Sequence, residues 1–235
     1  MGMNILITGA SKGLGFSTVS EALKGGHHVI AGVRNLQQSH EQFEAMRQEH
    51  PGQLELIQLD VNVESEIIAA KNAVERRWGT VDVLINNAGI LIARDKKLEQ
   101  LDMAEVERSM MTNLYGPMKM VKHFLPLLRR SERPCIINIS SEAGCFTAAY
   151  GRDYPYALSK SALSFFSAQL RKELAPQGFA VYNVHPGWIR TPMGGEQAPG
   201  DPGDTAIGLL NLAERKVVPA QESWMITHKG EPMPY

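Results

Sequence analysis

Short runs of β-branched and apolar residues recur along this chain, and helix-length segments separate them. Seven runs are typical of strands: 3–8, 27–33, 54–59, 81–86, 135–140, 179–185 and 223–227. Four segments between them carry apolar residues at spacings of three and four, which indicates amphipathic helices: 13–24, 64–78, 102–130 and 156–174. Because the strand runs are apolar on both faces, the alternation predicts a doubly wound α/β fold, with a parallel sheet of about seven strands covered by helices on both faces.

The length and composition agree with one globular domain over residues 1–235. Hydrophobic residues make up 43% of the chain and charged residues 21%, as in ordinary globular proteins. A net charge of -1 without a basic cluster argues against a nucleic-acid partner. No apolar run is long enough to predict a membrane partner, and no signal peptide is expected at the start. The two cysteines lack metal-ligand spacing, so we expect no metal site and a cytoplasmic location.

A glycine-rich turn, TGASKGLG at residues 8–15, joins the first strand run to the first helical segment. Glycines let a backbone approach a phosphate closely, and a helix N-terminus offers free N–H groups and positive dipole charge. The strand, turn and helix together therefore predict a dinucleotide-binding cradle, although glycines alone would also suit a tight turn. The predicted cofactor-binding residues here are Gly9, Ser11, Lys12, Gly13, Leu14 and Gly15.

Polar residues also end the fourth and fifth strand runs. The fourth ends in NNAG at 86–89, and the fifth ends in Ser140 and Ser141. Carboxyl ends of parallel strands form the ligand crevice of such a sheet. Tyr156 and Lys160 follow, and because positions i and i+4 share one face of a helix, both can point at one ligand. We therefore predict a reactive site at this edge.

The same Tyr-x3-Lys spacing occurs at Tyr115 and Lys119, so the spacing alone is weak evidence. Only Tyr156 follows a strand ending in two serines and precedes a Pro-Gly pair after the next strand. We interpret Tyr115 as a core or helix-surface residue.

Taken together and in order, these motifs resemble the short-chain dehydrogenase/reductase family along nearly the whole chain. The resemblance implies that Tyr156 is the general acid/base and that Ser141 hydrogen-bonds the carbonyl oxygen, with Ser140 as the alternative serine. It implies that Lys160 binds the nicotinamide ribose and lowers the pKa of the tyrosine, and that Asn113 holds a water that relays protons to Lys160. A free phenol titrates near 10, so a neighbouring cation is needed to favour the phenolate.

The resemblance implies further cofactor contacts beyond the glycine turn. Asp60 resembles the acid that binds the adenine, although it could instead cap the helix at 64–78. The remaining residues that match cofactor-binding positions of the family are Val61, Asn87, Ala88, Gly89, Tyr156, Lys160, Pro186, Gly187, Ile189 and Thr191.

Strand two runs into Arg34 without an acidic residue that could bind a ribose 2′-hydroxyl and repel a phosphate. Lys12 precedes the second glycine of the turn, so two cations can converge on a 2′-phosphate. Arg34 can bind that phosphate bidentately, whereas Lys12 acts as a point charge. We therefore predict NADP(H) as cofactor; otherwise both cations are simply solvated.

A long loop rich in glycine and proline follows the sixth strand run. Long loops in compact domains are usually functional or disordered, so we interpret 188–204 as a substrate lid, with a plain connector as the alternative. The segment from Ser141 to Tyr156 is about two residues longer than is common in the family. Together with Arg34-Asn35 and the ending THKGEPMPY, it resembles the C-factor and sniffer-like carbonyl reductases.

The expected function is an NADP-dependent oxidoreductase acting on a small carbonyl or alcohol. The alternative is a non-catalytic NADP-binding sensor or signalling protein on the same fold. The resemblance implies a homodimer or homotetramer. The candidate walls of the substrate pocket are apolar or aromatic: Ile90, Phe146, Tyr154, Trp188 and Met193.

Overall fold

The computed structural model describes residues 2–220 and 223–235. Over these residues seven strands form one parallel sheet in the order β3-β2-β1-β4-β5-β6-β7. The strands are β1 Asn4–Thr8, β2 His28–Val33, β3 Leu54–Gln58, β4 Val83–Asn86, β5 Cys135–Ile139, β6 Ala180–His185 and β7 Ile226–Thr227. The predicted fold class is confirmed, and each predicted strand run contains one of these strands.

Seven α-helices cover the sheet in the described residues. They are α1 Gly13–Lys24, α2 Leu36–Glu49, α3 Glu64–Trp78, α4 Met103–Met110, α5 Gly116–Leu128, α6 Tyr154–Leu174 and α7 Pro202–Ala213. No prediction covered α2, which buries only Ser39 and Phe43 and so shows little apolar periodicity. Helix α7 begins inside the predicted loop, because Asp201 caps its first turn and Pro202 occupies the first helical position.

The segment 102–130, predicted as one helix, contains an irregular turn. Residues Met111–Tyr115 form a π-helical turn between α4 and α5. Such turns are rare and occur often at functional sites. This turn carries Asn113, which is fully buried, and Tyr115, which is 45% exposed and so lies on the helix surface.

Alternating residues of each central strand build two apolar layers, one on each face of the sheet. In β1, Ile5 and Ile7 point into the first layer and Leu6 into the second. Helices α1, α2 and α7 contribute to the first layer, for example through Leu23, Phe43 and Leu209. Helices α3, α5 and α6 contribute to the second, for example through Ile67, Phe124 and Leu170.

Strand order reverses at the centre of the sheet. Chain connections run outward from β1 through β2 to β3 on one side, and from β4 to β7 on the other. The carboxyl ends of β1 and β4 therefore border the crevice where open α/β sheets bind ligands. Within the described parts of the chain, no helix combines the length and apolar character needed to cross a bilayer.

Candidate active site

A cavity of about 700 Å³ opens at the carboxyl edge of the sheet. This volume lies within the range typical of small-molecule and cofactor sites. The predicted site residues that line it are Gly9, Ser11, Lys12, Gly13, Leu14, Arg34, Asp60, Val61, Asn87, Ala88, Gly89, Ser141, Tyr156, Lys160, Pro186, Gly187, Ile189 and Thr191. Two predicted residues, Gly15 and Asn113, do not line it.

The glycine turn between β1 and α1 needs glycine for two different reasons. Gly9 and Gly13 have φ values of +64° and +55°, a left-handed conformation that side chains disfavour. Gly15 lies behind the turn, where an added Cβ would come within 2.4 Å of the Gly9 carbonyl oxygen. Gly15 therefore shapes the cradle by close packing and does not line it.

Thr8 and Asn87 tie the ends of β1 and β4 together. The backbone N–H groups of Asn87 and Ala88 donate to the Thr8 hydroxyl at 3.1 and 3.0 Å. The Asn87 side-chain amide donates to the carbonyl oxygens of Thr8 and Gly9 at 2.9 and 3.1 Å. These bonds fix the glycine turn to the end of β4. Thr8 was absent from the predicted site residues, although it begins the glycine motif.

The residues of this cradle fit a nicotinamide dinucleotide phosphate. The glycine turn leads into the N-terminus of α1, which no side chain caps, so its first N–H groups are available to a phosphate. Lys12 and Arg34 line the same cavity with exposed side chains. Neither forms an ion pair or side-chain hydrogen bond within the described ranges, so both charges are available to a ligand.

Asp60 lines the cavity and does not cap α3. Its carboxylate accepts from the backbone N–H of Asn62 at 2.9 Å, while its own N–H donates to Glu66 at 2.7 Å. The N-cap position of α3 is Val63, whose side chain cannot accept a hydrogen bond. The capping alternative for Asp60 is therefore wrong.

Ser141, and not Ser140, engages Tyr156. A hydrogen bond from the Ser141 side chain acts to lower the pKa of the phenol, but burial has the larger effect and raises it. Ser140 is 1% exposed, and its hydroxyl bonds the Lys160 carbonyl oxygen and the Ser164 hydroxyl instead. Because the Ser140 hydroxyl is engaged elsewhere and Ser141 lines the cavity, Ser141 is favoured as the serine beside the reacting oxygen.

Lys160 is buried beside the phenol on the same helix. Its Nζ atom lies 5.5 Å from the centroid of the Tyr156 ring and donates to the Ile139 carbonyl oxygen at 2.7 Å. Burial disfavours the ammonium form and lowers the pKa of Lys160 to about 8. The resemblance implied that Lys160 lowers the pKa of Tyr156. In the folded chain burial is the largest influence on this pKa and raises it, while Ser141 and Arg94 act to lower it.

Asn113 lies outside the cavity lining and hydrogen-bonds residues next to the site. Its amide nitrogen donates to the Ile90 carbonyl oxygen and the Ser159 hydroxyl, both at 2.9 Å, while its oxygen accepts from the Ile90 N–H at 2.8 Å. Both amide hydrogens are thus occupied by the protein itself. The side chain links the π-helical turn to the loop after β4 and to α6, and the water relay stays a prediction.

Fewer aromatic side chains line the cavity than were predicted for the substrate pocket. Ile90, Trp188 and Met193 line it as expected. Phe146 does not; it is 78% exposed and packs its ring edge-on against Tyr235. Tyr154 also lies outside the lining. Tyr150, which the sequence also offered as a lining residue, does line the cavity. The charged or titratable lining residues that no prediction named include Arg94 and Asp153 in loops and His185 at the end of β6.

Several hydrogen bonds connect residues within the predicted lid loop. Trp188 Nε1 donates to the Gly194 carbonyl oxygen at 2.7 Å, and Ile189 forms a parallel bridge with Gly200. Arg190 donates to the Pro199 carbonyl oxygen at 2.8 Å and to Asp201 at 3.1 Å. The loop ends at Asp201, three residues earlier than predicted, because α7 begins there. Its motion as a lid stays a prediction.

Comparisons with known proteins agree with this arrangement. The model of the short chain dehydrogenase family matches residues 3–201. A curated relative, C-signal of Myxococcus xanthus, is 32% identical over 158 residues, which cover 67% of this chain and 94% of the relative. The structure of NADPH-bound carbonyl reductase from chicken fatty liver superposes with a TM-score of 0.90 at 26% identity, covering 100% of this chain and 99% of that one.

The carbonyl reductase Sniffer of D. melanogaster superposes with a TM-score of 0.91 at 26% identity, covering 100% of both chains. The resemblance read from the motifs, including that to the C-factor and sniffer-like subgroup, is confirmed. The glycine cradle, Tyr156 and Lys160 thus lie in a fold that matches the two carbonyl reductases over nearly the whole of each chain. This chain belongs to the short-chain dehydrogenase family of oxidoreductases.

Proposed function

We propose that the protein is an NADP(H)-dependent oxidoreductase that transfers hydride between the nicotinamide and a carbonyl or alcohol substrate. One observation carries the proposal: the Tyr156 phenol shares a cavity with Ser141, Lys160 and the glycine cradle. A phenol and a hydroxyl beside a buried cation suit proton transfer to a carbonyl oxygen. The NADPH-bound relative supports the choice of cofactor.

Each group then has a distinct task in carbonyl reduction. The bound cofactor supplies the hydride. Tyr156 donates its proton to the carbonyl oxygen, and Ser141 donates a hydrogen bond to the same oxygen. Lys160 binds the ribose and favours the phenolate that remains. Asn113 positions the loop after β4, and Arg34 and Lys12 bind the 2′-phosphate.

A substrate screen tests this function directly. Purified protein is mixed with NADPH or NADH and a panel of aldehydes, ketones and quinones, and the absorbance of the reduced nicotinamide is followed. We expect NADPH consumption with at least one apolar or aromatic carbonyl, because Ile90, Trp188 and Met193 line the substrate end. Tight NADPH binding without turnover of any member would contradict catalysis.

A non-catalytic NADP-binding sensor or signalling protein is the second candidate. The name of the relative C-signal favours it. The intact set of Ser141, Tyr156 and Lys160 supports catalysis instead, since a sensor has no need of a buried phenol beside a cation. The same screen separates the two functions.

Replacing Lys160 by methionine is expected to weaken NADPH binding and to lower kcat, because one ammonium serves the ribose and the phenol. Its charge favours the phenolate, so without it the apparent pKa for alcohol oxidation should rise and activity should move to higher pH. Steady-state rates across pH and NADPH titrations measure both effects. An unchanged pH profile would mean that another group activates Tyr156.

Three further expectations accompany the proposed function. We expect one catalytic domain over residues 1–235, a homodimer or homotetramer in solution, and a cytoplasmic location. Loop 188–201 is proposed to cover the substrate, because Trp188, Ile189, Thr191 and Met193 of this loop line the cavity.

A further inference from the structure

His185 ends β6 and lines the same cavity as Ser141, yet the proton transfer proposed above does not use it. Its Nδ1 atom accepts a hydrogen bond of 3.2 Å from the backbone N–H of Glu142, the residue after Ser141. On the other side of Ser141, the Ser140 N–H donates to the Val184 carbonyl oxygen at 2.8 Å. Two neighbouring residues of β6 therefore hold the backbone before and after Ser141.

The hydroxyl of Ser141 is oriented by the turn that follows it. Its oxygen accepts from the Ala143 N–H at 3.2 Å and caps the short helical turn Glu142–Gly144. A hydroxyl that accepts in this way keeps its own proton free to donate. Because the turn begins at the N–H that His185 accepts from, this contact connects β6 to the turn that orients the hydroxyl.

The bond to Glu142 requires one protonation state of the His185 ring. A neutral imidazole has one nitrogen that accepts and one that donates, whereas the imidazolium has two donors and no acceptor. A backbone N–H can only donate, so Nδ1 is the bare nitrogen and Nε2 carries the proton. Burial has the largest effect on the pKa of His185 and lowers it; the Glu142 carboxylate acts to raise it and His228 to lower it. The ring is therefore neutral at pH 7 and the acceptor is present.

The cofactor side of this strand end has an anchor of its own. The Thr205 hydroxyl of α7 donates to the Pro186 carbonyl oxygen at 3.1 Å. Pro186 and Gly187 are the residues that the family resemblance assigns to the cofactor. A substitution of His185 is therefore expected to affect the Ser141 side of the cavity more than the binding of the cofactor.

We propose that His185 is a positioning residue for Ser141: its neutral ring accepts from the Glu142 N–H, holds the turn after β5 and keeps the Ser141 hydroxyl directed at the substrate carbonyl oxygen. His185 acts through Ser141 and transfers no proton itself. The proposal rests on the oxidoreductase function above and deepens it.

The test compares three substitutions of His185 that differ in where they place an acceptor. In asparagine the side-chain oxygen is bonded to Cγ, as Nδ1 is in histidine, so His185→Asn keeps an acceptor at the Glu142 N–H. In glutamine, the matched amide, the oxygen lies one bond farther out, and leucine has no acceptor. The readouts are kcat with the best carbonyl from the screen and the dissociation constant of NADPH.

We expect His185→Leu and His185→Gln to lower kcat by about three- to tenfold, as for loss of a hydrogen bond between neutral groups. His185→Asn should restore kcat to within about twofold of the wild type. The dissociation constant of NADPH should change by less than about threefold in all three variants, which also shows that they are folded.

A double-mutant cycle separates the positioning of Ser141 from a general structural role. Ser141→Ala removes the hydroxyl and should lower kcat by about 10²- to 10³-fold, the loss typical of a donor to a developing oxyanion. Adding His185→Leu to Ser141→Ala should lower kcat by less than about a further twofold, because the side chain that His185 positions is already gone.

A full additional loss in the double variant, equal losses in the three single variants, or an unchanged kcat in His185→Leu would each overturn the positioning role. An unchanged kcat in Ser141→Ala would overturn it as well, and so would a loss of NADPH affinity as large as the loss of kcat. In each of these cases turnover by the wild type leaves the oxidoreductase function standing. A wild type that binds NADPH but reduces no carbonyl would overturn both proposals, so the two failures are distinguishable.

Discussion

Replacing Tyr156 by phenylalanine is expected to lower kcat by about 10²- to 10⁴-fold, the contribution typical of a general acid or base. The substitution removes the transferable proton but preserves the packing of the ring. NADPH affinity should stay nearly unchanged, because Lys160 and the glycine cradle are intact. Steady-state rates with the best carbonyl from the screen, together with NADPH titrations, measure both quantities.

Tyr154→Phe is the matched control, since Tyr154 lies two residues earlier on α6 and outside the cavity lining. It should turn over at close to the wild-type rate. A Tyr156→Phe variant that kept more than about a tenth of that rate would show that another group donates the proton.

Replacing Arg34 by alanine is expected to weaken NADPH binding by about ten- to a hundredfold. A guanidinium that hydrogen-bonds a phosphate contributes roughly 1.5–3 kcal/mol, and about 1.4 kcal/mol corresponds to a factor of ten. NADH lacks the 2′-phosphate, so its affinity should barely change. Dissociation constants for both cofactors, measured on wild type and variant, give the comparison.

Arg76→Ala provides the control, because Arg76 is an exposed arginine on α3 outside the cavity. Its loss leaves the net charge the same as in Arg34→Ala, so any shared weakening reports general electrostatics. If NADH and NADPH lost equally in Arg34→Ala, or if the wild type bound NADH better, the assignment of Arg34 to the 2′-phosphate would be wrong.

Fold and strand positions could be predicted because the parallel sheet is buried on both faces. The central residues of runs such as 3–8 and 81–86 are apolar on both faces of the strand, and that pattern is visible in one sequence. Helix α2 could not be predicted in the same way. It buries Ser39 and Phe43 alone, so its helical state rests on local propensity and on packing that the sequence pattern does not display.

The same distinction separates the site residues that could be predicted from those that could not. The predicted site residues follow strand ends, and topology brings those ends together, so Gly9, Asn87 and Ser141 could be placed at one cavity from the chain order alone. Arg94 and Asp153 lie in loops whose conformation depends on contacts distant in sequence. Nothing in their local spacing distinguishes them from surface charges, and only the folded chain brings them to the cavity.

Gly15 and Asn113 illustrate a different limit of sequence motifs. Both residues belong to the motifs from which the site was predicted, but neither residue lines the cavity. Gly15 allows close packing behind the turn, and Asn113 holds the Ile90 backbone. A motif marks residues that the site requires, and it does not separate contact with a ligand from support of the residues that make that contact.

The π-helical turn at 111–115 changes the phase of the helix that contains it. An α-helix rotates by about 100° per residue, so the additional residue turns α5 by about that angle relative to a regular continuation of α4. Helix α4 packs against α6, whereas α5 packs against α3 and the sheet. The continuous helical segment can therefore pack against neighbours in two directions. Deleting a single residue here would bring the two halves back into phase and would turn one of them away from its neighbour.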